Sequence, residues 1–102
     1  MSVLGAAAVS NAAVANASDA QRAMCYTEDG RGRWVTVNAD HVNVRTGWGT
    51  SYPVIGKQNS GDHLCIMAGH PDNKDPSVHW WVFDYHGRAG WIIDTYVTLG
   101  WH

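Results

Sequence analysis

From Trp34 to Leu99 turn-forming residues interrupt the chain about every ten positions, and this punctuation limits the fold more than any other feature. The intervening runs are long enough for strands and too short for ordinary helices. Trp34–Val37 and Val42–Arg45 alternate and are rich in β-branched residues, which suits a pleated, half-buried surface. Thr46–Ser51 is a loop, because two glycines flank Trp48, and Tyr52–Lys57 resumes an extended run. Ser60-Gly61-Asp62 then turns the chain into His63–Met67. Gly69–Ser77 is a polar, proline-containing loop before a strand over Val78–Tyr85. His86-Gly87-Arg88 is a tight connection to its hairpin partner, Ala89–Ile93. Asp94-Thr95-Tyr96 predicts one helical turn and Val97–Leu99 a closing strand. No 3.6-residue apolar period survives past the turns, so the expectation is an all-β domain, either a small barrel or a sandwich.

A chain of 102 residues has room for one modest core. Val44, Ile55, Leu64, Ile66, Phe83, Ile92 and Val97 are its predicted members, being apolar and spread over all the strands. Alternation along Val78–Tyr85 places Trp81, Phe83 and Tyr85 on one face, with Trp80, Val82 and Asp84 on the other. With Phe83 inside, Trp80 is expected to stand outside, near the loop that carries Trp48 and Tyr52.

The first twenty residues follow a different rule. They contain eight Ala and no Lys or Arg, and Ala15-Asn16-Ala17 has the shape a signal peptidase accepts. Residues 1–17 therefore predict a signal-peptide remnant, with 18–33 an N-terminal extension before a folded domain over 34–102. The rival is an Ala-rich tail, disordered or loosely helical. Export would favour a disulfide between Cys25 and Cys65, the chain's two cysteines, in a domain small enough to gain from a staple. Two separate thiols, Cys65 buried in its strand, are the alternative. The absence of a C-x-x-C motif excludes a zinc ribbon and a thioredoxin-like redox pair.

Val42-Asn43-Val44-Arg45-Thr46-Gly47 followed by Ser51-Tyr52-Pro53-Val54-Ile55-Gly56 resembles the opening signature of bacterial Src-homology-3 (SH3b-type) domains. Gly61-Asp62 is similar to that family's mid-domain turn. Trp80–Phe83 with Tyr85–Ile92 resembles its Trp-rich hairpin, and Tyr96-Val97 its closing pair. Together these motifs cover about Val42 to Leu99, in the family's order. The resemblance implies an SH3-like barrel of five or six short strands that serves as a targeting module, commonly attaching secreted proteins to peptidoglycan peptides. Three features depart from the pattern. Trp48 stands where a small residue or Pro is usual, the Gly69–Ser77 loop is long, and Cys25, Trp34 and Trp101 lie outside the motifs.

The six Trp against one Phe suit a binding surface, where an apolar body meets a polar N–H. Trp48, Tyr52, Trp80 and Tyr96 form the candidate ligand-binding groove, able to hold an extended peptide or a sugar on flat faces. The plainer reading has Trp80 and Tyr96 only covering the barrel edge. Six histidines (His41, His63, His70, His79, His86 and His102) lack metal-ligand spacing and read as surface imidazoles, so no metal or cofactor is expected. Their protonation would turn the formal charge of −2 positive and should strengthen attraction to anionic wall polymers in acid. A chain with 7 basic and 9 acidic side chains carries no electrostatic footprint for nucleic acid, and no apolar run predicts a membrane span. Cys65, His79 and Asp84 can be named as a catalytic set, but a mid-strand Cys is silenced by burial. Carboxylates in turns have structural reasons to be there. The sequence thus predicts a secreted, monomeric, non-catalytic module for cell-wall peptides or glycans. The alternatives are a small secreted protein–protein interaction protein, or an inhibitor or toxin, using the Trp surface.

Overall fold

A computed structural model describes Met24–Thr27 and Gly30–His102. The proposed signal remnant over 1–17 lies outside those residues. Eight strands follow one another: β1 (Met24–Thr27), β2 (Gly30–Val37), β3 (Val42–Arg45), β4 (Val54–Gln58), β5 (His63–Pro71), β6 (His79–Tyr85), β7 (Arg88–Ile93) and β8 (Val97–Leu99). One 3-10 turn, Asp94–Tyr96, joins β7 to β8 where the sequence predicts a helical turn. All pairings are antiparallel, in the order β1-β2-β5-β6-β7-β3-β4, with β8 added to β2.

Three strands separate β2 from β3 in that order, yet Val35 and Val37 of β2 share one buried cluster with Val42 and Val44 of β3. The sheet must therefore curl until its distant strands meet, as in a small barrel. Leu64, Ile66, Phe83 and Ile92 complete the cluster, while Ile55 and Val97 pack at its margin. Each such side chain contributes about 1.5–3 kcal/mol by leaving water.

Local chemistry sets the turns. His86 (φ 52°) and Gly87 (φ 86°) form the two-residue left-handed turn that matches the twist of the β6–β7 hairpin, and Gly87 N–H donates to Asp84 Oδ1 at 3.0 Å. Asp62 closes the β4–β5 turn, its carboxylate accepting from Asn59 N–H at 2.8 Å.

The structure corrects the sequence reading at three places. Among the described residues there are eight strands rather than five or six, because the sheet begins before Trp34: β1 pairs with the first half of β2. Cys25 in β1 is bonded to Cys65 in β5, with 6.0 Å between their Cα atoms. The bond passes over Gly32, where an added Cβ would lie 3.1 Å from Cys65 Sγ and 2.4 Å from the Ile66 carbonyl oxygen. Second, β5 does not stop at Met67 but continues through Gly69 and His70 to Pro71. Third, Trp80 is not exposed; it is 2% accessible.

Candidate functional site

The burial of Trp80 follows from what lies on the outer face of the sheet. Ile66 pairs with Phe83 and both point inward. A bulge between Ile66 and Ala68 shifts the register, so that Gly69 meets Trp81 and His70 meets Trp80. Without the bulge, alternation from Leu64 and Ile66 would aim His70 into the core. With it, Gly69 takes the inner position, where any Cβ would lie 2.6 Å from the Trp81 ring. His70, Trp80 and Ile93 then form one row across the outer face, and Ala68, Val82 and Trp91 the next.

Two loops cover these rows. One runs from Thr46 to Pro53, between β3 and β4, and the other from Asp72 to Val78, between β5 and β6. Asn73 joins them: its N–H donates to the Trp48 carbonyl (2.9 Å) and its Nδ2 to Ser51 Oγ (3.0 Å). Gly49 is needed at this junction because a Cβ there would strike the Asn73 side chain. Asp72 anchors the second loop. Its Oδ1 accepts from the N–H groups of Lys74 (2.8 Å) and Asp75 (3.1 Å), and its Oδ2 from Trp80 Nε1 (2.7 Å). The Lys74 N–H and the Trp80 indole hold this carboxyl below the usual carboxylate range, because both stabilise the ionised form. Arg45 anchors the first loop from beneath, Nη1 donating to the carbonyls of Thr50 (3.1 Å) and Tyr52 (3.0 Å).

Trp48 caps the assembly. Its ring lies 4.5 Å from that of His70, tilted by 32°, 5.2 Å from Trp91 edge-on, and 5.4 Å from Tyr52. Trp48, Tyr52 and Trp91 are half-buried and His70 is exposed. The result is a partly exposed aromatic shelf whose His70 pairs across the strands with the buried Trp80. A flat ligand group can stack there with little ordering of the protein, since the backbone on both sides is already hydrogen-bonded.

Of the four residues that the sequence points to, the structure brings Trp48 and Tyr52 together. Trp80 is buried and sealed from contact, its indole N–H used by Asp72. Tyr96 sits on the 3-10 turn and is 45% exposed; among the described residues no ring contact joins it to Trp48 or Tyr52. Two members, His70 and Trp91, were not in the sequence-derived set. Trp91 was legible, because it precedes the inward Ile92 on a strand and so must face out. His70 was hidden by the bulge, for which Gly69 inside a strand is the one local sign.

A second cluster covers the outer face of β2. Trp101 stacks on His63 (3.6 Å, 2° between planes) and meets Trp34 edge-on at 4.7 Å. Below it Thr36 Oγ1 donates to the Gly100 carbonyl at 2.8 Å and accepts from His102 N–H at 2.9 Å, which accounts for its burial. Among the described residues no three His, Cys, Asp or Glu side chains converge as metal ligands, and no helix is long and apolar enough to cross a membrane.

Comparison with known proteins aligns 66 residues of this chain, 65% of its length, at 35% identity with "Putative N-acetylmuramoyl-L-alanine amidase YrvJ" of Bacillus subtilis (strain 168). The aligned stretch is 11% of that relative, so the chain is similar to a small portion of it. No family model matches the chain, and no solved structure does.

Proposed function

We propose that this chain is a non-catalytic binding module of the SH3b type that acts outside the cell and holds a cell-envelope ligand, a peptidoglycan peptide or glycan, against the Trp48 shelf. The observation that carries this reading is the half-exposed indole of Trp48, fixed between Tyr52, His70 and Trp91 by two loops that are wired to each other. Aromatic faces supply contact area at low entropic cost, and rigid aromatic anchors dominate many binding surfaces. The aligned relative is named for an amidase of N-acetylmuramoyl-L-alanine, which supports a wall component as the ligand. The Cys25–Cys65 bond is compatible with an oxidising compartment.

The test is co-sedimentation of the full chain with purified peptidoglycan. Trp48→Ala should weaken binding by about 5- to 150-fold, as loss of a hot spot of about 1–3 kcal/mol does, while Tyr96→Ala should leave it near wild type. Melting curves of both variants separate lost binding from lost fold. Wild-type protein that stays in the supernatant would remove the wall from the account, and equal pelleting of Trp48→Ala would remove the shelf.

A further inference from the structure

The shelf carries one polar group whose state the geometry fixes. His70 Nδ1 lies 2.7 Å from the carbonyl oxygen of Pro71. A carbonyl can only accept, so Nδ1 must hold the hydrogen. In the neutral ring Nε2 is then a bare acceptor, and among the described residues it has no hydrogen-bond partner. It belongs to an exposed ring that lies 4.5 Å from the Trp48 indole, tilted by 32°. A ligand group that satisfies both neighbours needs a flat face for Trp48 and a donor in the plane of that face. A secondary amide has this shape.

We infer that the shelf selects secondary amides, stacking the amide plane on Trp48 while the amide N–H donates to Nε2 of neutral His70. This rests on the binding role proposed for the shelf and adds the ligand group and the residue that chooses it. An acetamido sugar and a peptide bond both supply the group. Protonation of His70 turns Nε2 into a donor and cancels the match, so binding of a neutral amide falls in acid. The charged or titratable groups around His70 are Asp72, Lys74 and Asp75 in the loop that follows it, His79 opposite Pro71, and Arg45 and Tyr52 on the other loop; Trp91 and Ile93 of β7 add none. Of these, only His79 is a second imidazole.

The experiment titrates the full chain with uncharged probes, so that the protein's changing net charge does not act on them. They are a β-1,4-linked tetramer of N-acetylglucosamine, the matching glucose tetramer, and N-acetyl-L-alanine N-methylamide. Chemical shifts of the Trp48 indole N–H report binding, and long-range 15N–1H correlations of His70 report the tautomer. Binding by the acetamido tetramer assigns a glycan source, and by the capped alanine a peptide source. Either should be about five- to tenfold weaker in His70→Phe, which keeps a ring on Trp48 but lacks the acceptor. It should also weaken on acidification in step with protonation of His70, read from the same 15N–1H correlations, in wild type and in His79→Gln, but not in His70→Phe. A glucose tetramer that binds equally, no binding by either amide, an Nε2–H tautomer, or unchanged affinity in His70→Phe would each overturn the inference. Peptidoglycan sedimentation that still depends on Trp48 would show that the shelf binds by another rule.

Discussion

Reducing the Cys25–Cys65 bond changes few atoms and tests how the barrel is held together. The two cysteines are 40 residues apart in sequence, and closing a loop of that length restrains the unfolded chain by about 4 kcal/mol at 25 °C in the chain-entropy account. A domain of this size has about 5–10 kcal/mol of stability in all. Native contacts change little on reduction, because β1 and β5 are each hydrogen-bonded to β2 independently of the sulfur bridge. With a urea dependence of about 1 kcal/mol per molar, the midpoint should drop by about 3–4 M. The assay is urea unfolding followed by tryptophan fluorescence, with and without a phosphine reductant. A drop below about 1 M would refute the reasoning. It would mean that the β1 hairpin lifts away alone and leaves the strands from Trp34 onward as a separate cooperative unit.

Three further outcomes are expected. Because the Asp72 carboxyl is held below the usual range, the unfolded chain takes up its proton first on acidification; the stability it contributes is present above the ordinary carboxylate pKa and is lost as pH falls through the lowered one. Melting temperatures of Asp72→Asn should therefore depend less steeply on pH between 5 and 2 than those of wild type, and parallel slopes would contradict this. Trp80→Ala removes a fully buried indole and should cost about 3–5 kcal/mol in denaturant unfolding; a cost below about 1 kcal/mol would contradict that burial. Gly49→Ala forces the Asn73 side chain aside and should weaken peptidoglycan binding with a smaller loss of stability than Trp80→Ala, read by sedimentation and melting together.

The strand pattern was legible because turn chemistry is local. Gly61, Gly87 and the Asp94–Tyr96 turn announce themselves within a few residues, and most of the core followed by alternation. Alternation also gave the face of Trp80 correctly, opposite Phe83. It could not give its burial, since the cover comes from one loop 27 or more residues earlier and another a few residues before it, joined through Asn73. Side is a property of one strand, whereas exposure depends on everything that crosses it. His70 was lost for a related reason: the bulge after Ile66 inverts parity for the rest of β5. The β1 hairpin was missed because four residues beside an Ala-rich segment give too little alternation to mark a strand.

The features that lie outside the sequence resemblance are not scattered over the fold; they meet in two groups. Trp48 and the long segment after Met67 touch through the Asn73–Trp48 and Asn73–Ser51 bonds and the tilted His70–Trp48 ring contact. Cys25 is bonded to Cys65, whose neighbour across the sheet is Trp34, and Trp34 packs on Trp101. Each departure thus has its physical reason in another. A bulky indole between two glycines would swing freely on a bare loop, and the polar loop from Asp72 to Val78 would have nothing to hold it in place. Together they bury Trp80, complete one another's hydrogen bonds and leave one aromatic face open to solvent. The second group uses its aromatic residues differently, closing over Thr36 and stacking Trp101 on His63. A polar residue on the outer face of β2 is thereby covered and the last strand is held to the first hairpin. Of the two aromatic clusters, the Trp48 shelf joins an exposed imidazole with an unpartnered Nε2 to half-exposed rings, whereas His63 Nε2 is already engaged with the His102 carbonyl at 3.1 Å. That difference in unused hydrogen-bonding capacity is why the proposed binding role is assigned to the Trp48 cluster rather than to the Trp101 cluster.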